Sequence, residues 1–242
     1  MNNTISILST KTLSSEQRKA LIDAKTDLLE QDFIEIEHLE FELNNINENV
    51  IFSSQNAILS LMNQPNLENL KAKNVFCVGI KSKELLEKNG FKVDVYMDYA
   101  SELAEIITLI YKNEKFTFFS GNLRKETLPK ALKGAKIVFN EIEVYQTKLA
   151  PFKISKEEKF DGILFFSPSG VESFLKDNKI KSEICFCIGD TTAEALKNNK
   201  IKNIVIAETP TVDDVIAEVI EYYMPSNPQS GNYEGLKNDK NE

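Results

Sequence analysis

Short apolar segments and amphipathic segments alternate along this chain from its start to about Tyr223. The apolar segments, such as TISILS, FTFFSG and ICFCIG, are typical of buried β-strands. The segments between them, such as ASELAEIITLIYK and VDDVIAEVIEYY, have the spacing of amphipathic helices. Strands and helices that alternate in this way predict an α/β fold, in which mostly parallel sheets are flanked by helices.

The first helix is predicted over residues 14–30, directly after the first strand. Ser14 and Gln17 have the spacing of a capping box, and Leu21 and Leu28 contribute to an apolar face. The segment DFIEIE then predicts the second strand.

Two extended segments interrupt the alternation of strands and helices. The residues of EIEHLEFEL and of NEIEVYQT alternate between apolar and polar, and neither segment has a helix of its own beside it. We interpret them as linker strands that lead out of one lobe and back. The first lobe is predicted to be discontinuous, with residues 1–37 and 151–225, and the second, similar lobe, residues 44–142, to be inserted into it. The linker strands are predicted at 38–43 and 143–150. A disordered polar tail is predicted at 226–242.

The charge of the chain limits the class of partner. Its 242 residues carry a net charge of −8 at neutral pH. Nucleic-acid binding normally requires a basic surface, so we expect no nucleic-acid partner. A small anionic ligand is compatible with this charge, because backbone N–H groups, hydroxyls and a few lysines are sufficient to bind it.

The sequence also bears on location and assembly. It has no run of about 18 uninterrupted apolar residues, so we expect no membrane span. The first residues, MNNT, lack the basic stretch and apolar core of a signal peptide, which predicts a cytoplasmic protein. We expect a monomer.

The three cysteines, Cys77, Cys185 and Cys187, form no C-x-x-C pair, and the one histidine, His38, is distant from all of them in sequence. This pattern favours buried thiols over a disulfide framework or a zinc site. We therefore expect no metal, and we expect His38 to be structural or exposed.

An internal duplication is the feature most informative about function. The segment IFSSQNAI precedes FCVGIKSKELLEKNGFKVDV, and FFSPSGVESF precedes FCIGDTTAEALKNNKIKNIVI. Each copy has a strand ending in Phe-Ser, a helix that opens on small polar residues, and a strand ending in Cys-x-Gly. A second helix then opens at Ser82 or at Thr192.

These junctions have the chemistry of an anion-binding site. A helix N-terminus carries unpaired N–H groups and a partial positive charge. A hydroxyl there either caps the helix or turns toward a ligand, and Gly79 and Gly189 are expected to let the backbone turn sharply. Capping is the commoner role for one residue, but two matching sets favour a ligand held between the lobes. Known nucleotide-binding signatures and a Ser-His-Asp triad are absent from the sequence.

Seven segments occur in the order found in the uroporphyrinogen-III synthase (HemD-type) family, which the chain resembles up to about Tyr223: FSSQNAI, CVGIKS, SGNLRKETLPKAL, VYQT, FFSPSGV, CIGDTTAEAL and AETPT. The resemblance implies two α/β lobes joined by a two-stranded linker, with the second lobe inserted into the first. The chain departs from many family members at Lys11, where they have arginine, and at Ser82, where they have threonine.

The resemblance also implies an activity. The enzyme would be a cyclising lyase that acts on hydroxymethylbilane, a linear tetrapyrrole with eight carboxylates. It would remove the terminal hydroxyl, invert the last pyrrole ring through a spiro intermediate, and close the macrocycle to uroporphyrinogen III without a cofactor. The uncatalysed reaction gives the type I isomer. Two other classes stay open: a non-catalytic binding or regulatory protein, and an enzyme that acts on a sugar phosphate.

Within the VYQT segment, Tyr145 is the candidate catalytic residue, because a phenol keeps its proton at neutral pH and could protonate the leaving hydroxyl. The alternative is that Tyr145 only packs between the linker strands. The substrate-binding candidates are hydroxyl, amide, glycine and basic residues at the starts of helices and the ends of strands: Lys11, Ser53, Ser54, Gln55, Gly79, Ser82, Gly121, Asn122, Arg124, Ser167, Ser169, Gly170, Gly189, Thr191, Thr192 and Thr211.

Overall fold

The computed structural model describes residues 4–62, 64–65 and 67–224. Their division places the described residues up to Glu35 and from Leu149 onward in a first compact unit, and Ile36–Lys148 in a second. Each unit contains a sheet flanked by helices, which confirms the predicted α/β class. The predicted disordered tail at 226–242 lies outside the described residues.

The structure assigns the following elements in chain order. The strands are β1 (Ile5–Ser9), β2 (Thr26–Glu30), β3 (Ile34–His38), β4 (Asn49–Phe52), β5 (Asn74–Val78), β6 (Val93–Met97), β7 (Lys115–Gly121), β8 (Val138–Leu149), β9 (Gly162–Phe165), β10 (Ile184–Cys187) and β11 (Ile204–Ile206). The helices are α1 (Ser15–Asp23), α2 (Gln55–Leu61), α3 (Leu67–Lys71), α4 (Ile80–Lys88), α5 (Ala100–Ile110), α6 (Thr127–Gly134), α7 (Pro168–Asp177), α8 (Asp190–Asn198) and α9 (Val212–Tyr223).

The first unit contains a five-stranded sheet in the order β11-β10-β9-β1-β2, and every neighbouring pair is parallel. Successive residues of a strand point to opposite faces, so Ile7 and Leu8 of β1 enter two different cores. Ile7 packs with residues of α1 and α9, such as Leu21 and Val215. Leu8 packs with residues of α7 and α8, so helices cover both faces of the sheet.

The second unit contains a six-stranded sheet in the order β3-β8-β7-β4-β5-β6. The pairs from β8 to β6 are parallel. The backbone bond from Leu39 N to Val144 O (3.0 Å) and the bond from Ala150 N to Phe33 O (3.0 Å) show that β3 runs antiparallel to β8. Helices α2 and α4 cover the face that contains Phe52, and α5 and α6 cover the face that contains Ile51.

The predicted helix over residues 14–30 is wrong beyond Asp23. Lys25 has a left-handed backbone (φ 58°), and Thr26–Glu30 forms β2, which pairs with β1 along its whole length. The Thr26 hydroxyl donates to Leu21 O at 2.8 Å and so satisfies a carbonyl at the helix end. Apolar spacing alone did not distinguish one long helix from a helix followed by an edge strand.

Two further boundaries differ from the sequence prediction. The predicted linker segment NEIEVYQT is not a separate strand: it belongs to β8, which already begins at Val138 and whose register with β7 shifts between Ser120 and Gly121. The sequence NLRKETLPKALK predicts a helix over its whole length, but α6 begins only at Thr127, which places Pro129 in the first turn, where the missing N–H is tolerated. Among the described residues, no helix is both long and apolar enough to cross a bilayer.

Candidate active site

The predicted site residues lie where parallel strands end and helices begin. In the second unit, β7, β4 and β5 are neighbours, so their carboxyl ends place Gly121, Ser53 and Gly79 side by side. In the first unit, β9 and β10 are neighbours, and they lead to Ser167 and Gly189. Ligands of open parallel sheets bind at this edge.

Three of the predicted hydroxyls cap helices. The Ser54 side chain accepts from Asn56 N at 3.2 Å at the start of α2. Ser167 accepts from Gly170 N at 3.0 Å at the start of α7, and its oxygen lies 3.0 Å from the Ser169 hydroxyl. Thr211 caps α9 by accepting from the Asp214 backbone N–H at 3.1 Å. These bonds account structurally for the positions of the three residues.

Helices α4 and α8 differ from the capped helices, because each begins at a glycine N-cap without a side-chain cap. The third residues of these helices, Ser82 and Thr192, are 5% and 1% exposed, and neither hydroxyl makes a hydrogen bond within the described residues. The fully enclosed side-chain oxygens without a partner are those of Ser173 and Tyr223. The Ser82 and Thr192 hydroxyls thus lie almost fully buried at the starts of these helices without a hydrogen-bond partner in the described part of the chain.

The two N-cap glycines have different conformations. Gly79 has φ +86°, in the left-handed region that L-residues rarely adopt, so the sharp turn predicted there is confirmed. The chain also bends at Gly189, but there φ is 170° and ψ is 177°, an extended backbone that any residue adopts, so the bend does not require glycine. A Cβ on Gly189 would meet only the Cβ of Pro210, at 4.0 Å.

Arg124, a predicted ligand of substrate carboxylates, is already paired within the protein. Its Nε lies 2.5 Å from Glu141 Oε1, its Nη2 lies 3.1 Å from Glu141 Oε2, and Nη1 contacts Glu126. Burial raises the pKa of Glu141, but hydrogen bonds from Arg124 and Ser120 outweigh it, so the net pKa is lowered. The hydrogen bonds that Arg124 donates to Glu141 and Glu126 raise its pKa. Arg124 thus ties the end of β7 to β8.

The ring of Tyr145 packs directly against Gly121. The two residues are register partners, and a Cβ on Gly121 would lie 2.7 Å from Tyr145 Cε1 and closer still to Cζ. Asn122 holds the next part of β8 in place, since its side chain accepts from Thr147 N at 2.9 Å and donates to Thr147 O at 3.2 Å. Gly121 and Asn122 therefore fix the position of Tyr145.

Tyr145 itself is 9% exposed and packs in the core beneath α2 and α4. Within the described residues its hydroxyl has no hydrogen-bond partner, yet it is not among the fully enclosed unpaired oxygens. The ring is fixed against Gly121 and the hydroxyl is left without a partner in the described part of the chain. This is the geometry that a proton donor to a bound ligand requires.

The match of the sequence to a known family decides to which family the chain belongs. The family model described as uroporphyrinogen-III synthase HemD matches residues 17–217. The chain belongs to this family. The match covers both units and all the predicted site residues except Lys11.

Curated relatives agree with this HemD assignment. The chain is 26% identical over 193 residues to the porphyrin biosynthesis protein HemD of Ruminiclostridium josui, a match that covers 71% of this chain and 37% of that protein. It is 26% identical over 172 residues to the uroporphyrinogen-III synthase of Chlorobaculum parvum, covering 64% of this chain and 70% of that one. The first of these matches spans little more than a third of the relative's length.

Two crystal structures share the fold. Uroporphyrinogen-III synthetase from Helicobacter pylori has a TM-score of 0.71 at 20% identity and covers 90% of this chain and 100% of that one. A mutant uroporphyrinogen III synthase from Thermus thermophilus has a TM-score of 0.62 at 13% identity and covers 89% of this chain and 97% of that one. At these identities the likeness concerns the fold alone.

Sequence reasoning missed Thr10, which directly follows β1 in the first HemD unit. Its hydroxyl donates to Leu164 O at 2.7 Å, and its side chain is 4% exposed. Beside it, the Nζ of Lys11 lies 5.8 Å from the centroid of the Phe166 ring, which is within the range of a cation–π contact. The STK tripeptide at the end of the first strand was the available signal, but only Lys11 was selected from it.

The remaining candidates have less defined roles. Ser53 makes no side-chain hydrogen bond within the described residues, and Gln55 and Thr191 are exposed. A Cβ on Gly170 would lie 3.3 Å from the Ser167 oxygen, so a small residue suits the capped turn of α7.

His38 and the cysteines behave as structural residues. His38 is exposed, and its Nδ1 lies 2.7 Å from the Ser60 hydroxyl, which itself donates to Asn56 O at 2.7 Å. The thiols of Cys77, Cys185 and Cys187 are buried, and desolvation raises the pKa of each to about 12. The described residues contain no group of three or more His, Cys, Asp or Glu placed to bind a metal.

Proposed function

We propose that this chain is a uroporphyrinogen-III synthase, which closes hydroxymethylbilane to uroporphyrinogen III with inversion of the terminal pyrrole ring. The observation that carries the proposal is the pair of uncapped helix N-termini of α4 and α8. Each has, at its third residue, a hydroxyl without a hydrogen-bond partner in the described residues, that of Ser82 or of Thr192. Membership of the HemD family supplies the reaction.

The uncapped N-termini suit a substrate with eight carboxylates. Backbone N–H groups at a helix start and neutral hydroxyls both donate to carboxylates, and each hydrogen bond to a charged group contributes roughly 1.5–3 kcal/mol. Several such contacts hold a polyanion without a basic surface. The net charge of −8 therefore does not argue against this substrate.

In this proposal Tyr145 donates a proton to the terminal hydroxyl of the bilane. The C–O bond breaks, water leaves, and the phenolate takes up the proton that the pyrrole ring releases when the macrocycle closes. The ring of Tyr145, fixed against Gly121, orients the hydroxyl before the reaction. The rest of catalysis is positioning, because the bilane also loses hydroxide without the enzyme.

The test is the identity of the product. Purified protein is mixed with enzymatically made hydroxymethylbilane in the presence of a chelator, and the isomers are oxidised and separated. We expect mainly the type III isomer, formed faster than the uncatalysed closure. Type I product alone, at the uncatalysed rate, would instead favour a non-catalytic binding or regulatory protein. The cytoplasmic location, the monomeric state and the absence of a cofactor stay predictions.

A further inference from the structure

The second unit exposes large apolar side chains at its functional edge in a regular pattern. Ile80, Tyr99 and Leu123 are 46%, 60% and 58% exposed. Each lies two residues after the last residue of a strand, namely β5, β6 and β7. All three therefore belong to the carboxyl edge of one sheet, which also presents the hydroxyls of Ser53 and Ser82.

The first unit has a different composition at the equivalent positions. Two residues after its strands β1, β2, β9, β10 and β11 the chain has polar residues or glycine, namely Lys11, Asp32, Ser167, Gly189 and Glu208. Within the described residues of that unit, no exposed large apolar side chain occupies such a position. The apolar pattern is thus a property of one edge and not of strand ends in general.

The order of the strands gives the distance that Ile80, Tyr99 and Leu123 span along the edge of the sheet. The strands β7, β4, β5 and β6 are consecutive neighbours, so Leu123, Ile80 and Tyr99 follow one another along the edge, with Ser54 at the equivalent position after β4 between Leu123 and Ile80. Neighbouring strands are about 4.8 Å apart, so the set spans roughly 14 Å. Stacked aromatic rings have centroids about 4.5–7 Å apart, so this span accommodates more than one small ring.

We propose that Ile80, Tyr99 and Leu123 form an apolar platform that packs against the pyrrole rings of the tetrapyrrole. The inference rests on the proposed function and extends it. A linear tetrapyrrole presents apolar rings as well as carboxylates, and hydrogen-bond donors satisfy only the carboxylates. The exposed apolar area at this edge is removed from water when the rings bind, and the platform contributes affinity and holds the rings in place.

The test compares two triple variants of the second unit. The platform variant carries Ile80→Ala, Tyr99→Ala and Leu123→Ala. The control carries Leu109→Ala, Ile110→Ala and Val138→Ala, whose side chains are 67%, 65% and 60% exposed. These control residues lie in the last turn of α5 and at the first residue of β8, at the opposite edge of the sheet.

We expect the platform variant to raise KM about tenfold or more while kcat changes about threefold or less, because apolar packing binds substrate and transition state alike. The type I share of the product should rise, since released bilane closes without the enzyme. The control should keep the wild-type KM, and both variants should keep the wild-type melting temperature to within a few degrees. A second variant, Tyr99→Phe with Leu123→Met, keeps apolar area and should retain the KM.

An unchanged KM in the platform variant, or an equal rise of KM in the control variant, would overturn the proposal of an apolar platform. Failure of the proposed function is recognised separately, because wild-type protein would then form only type I product. In that case, binding of uroporphyrinogen III to the wild type and both triple variants, measured by equilibrium dialysis, decides the inference. Weaker binding by the platform variant alone would support it, and equal binding by all three proteins would reject it.

Discussion

The junctions before α4 and before α8 have similar sequences, but their backbone conformations differ. Both begin at a glycine N-cap without a side-chain cap, and both place an unbonded hydroxyl at the third helical residue, Ser82 or Thr192. Gly79 is left-handed whereas Gly189 is extended. The common element is therefore the open helix N-terminus with its hydroxyl, and not the conformation of the glycine.

A second difference between the units concerns what surrounds this common element. The second unit adds Tyr145, fixed against Gly121, and three exposed apolar residues at its strand ends. The first unit has polar strand ends and places Asp190, an acidic residue, at the start of α8. We infer that carboxylate binding belongs to both units, whereas proton donation and ring packing belong to the second.

The glycines of the two units should differ most in their tolerance of a side chain, and the largest effect is expected at Gly121. We expect Gly121→Ala to lower type III formation by about a hundredfold or more and to cost about 1–3 kcal/mol of unfolding free energy, because its Cβ would overlap a buried ring. Gly189→Ala should change the unfolding free energy by less than about 0.5 kcal/mol. Urea unfolding and initial rates of both variants test this, and similar results for the two would contradict the account.

The equivalence of the two junctions is tested by removing both free hydroxyls. We expect Ser82→Ala and Thr192→Ala each to lower turnover by about tenfold or less, and the double variant to lose up to about a hundredfold, because each hydroxyl is one donor among several. The measurement is initial rate together with melting temperature. Wild-type turnover in a stable double variant would remove these helix starts from the site.

The role assigned only to the second unit is tested by Tyr145→Phe. We expect the fold to persist and turnover to fall about ten- to a hundredfold, at the low end for a general acid, because the bilane also loses hydroxide spontaneously. Tyr111→Phe is the matched control, since its ring packs 5.0 Å from that of Phe76 in the same unit. Full activity of a stable Tyr145→Phe protein would leave catalysis to positioning alone.

The smallest expected effect concerns a residue of the first unit outside the proposed site. The Tyr223 hydroxyl is fully enclosed and has no hydrogen-bond partner among the described residues. Removing an unsatisfied buried donor should stabilise the protein, so Tyr223→Phe should raise the unfolding free energy by about 1 kcal/mol with unchanged turnover. Tyr222→Phe, at a position 50% exposed, is the control and should be neutral. Destabilisation by Tyr223→Phe alone would indicate that the hydroxyl has a partner.

Features of the fold that depend on local sequence were predictable. Strand–helix alternation gave the α/β class, and the small polar residues at helix starts led to the caps at Ser54, Ser167 and Thr211. Apolar spacing could not separate α1 from β2, because Leu21 and Leu28 pack in the same core although one is helical and the other is in a strand. That distinction depends on pairing with β1.

Features of the site that depend on distant residues were not predictable. Arg124 looked like a free cation in sequence, but it pairs with Glu141, 17 positions later, through the β7–β8 pairing. The contact between Gly121 and Tyr145 depends on the same register. The apolar pattern at residues 80, 99 and 123 also becomes visible only when the ends of the strands are known.

In the proposed mechanism, the open starts of α4 and α8 bind the ligand's carboxylates. Hydrogen–deuterium exchange with and without uroporphyrinogen III tests it most directly, with peptides that cover residues 79–83 and 189–193. We expect the ligand to slow exchange in both segments by about tenfold or more at saturation, and to leave the last turns of the same helices, near Lys88 and Asn198, unchanged. Unchanged exchange in both first turns, in protein that demonstrably binds the ligand, would contradict the claim.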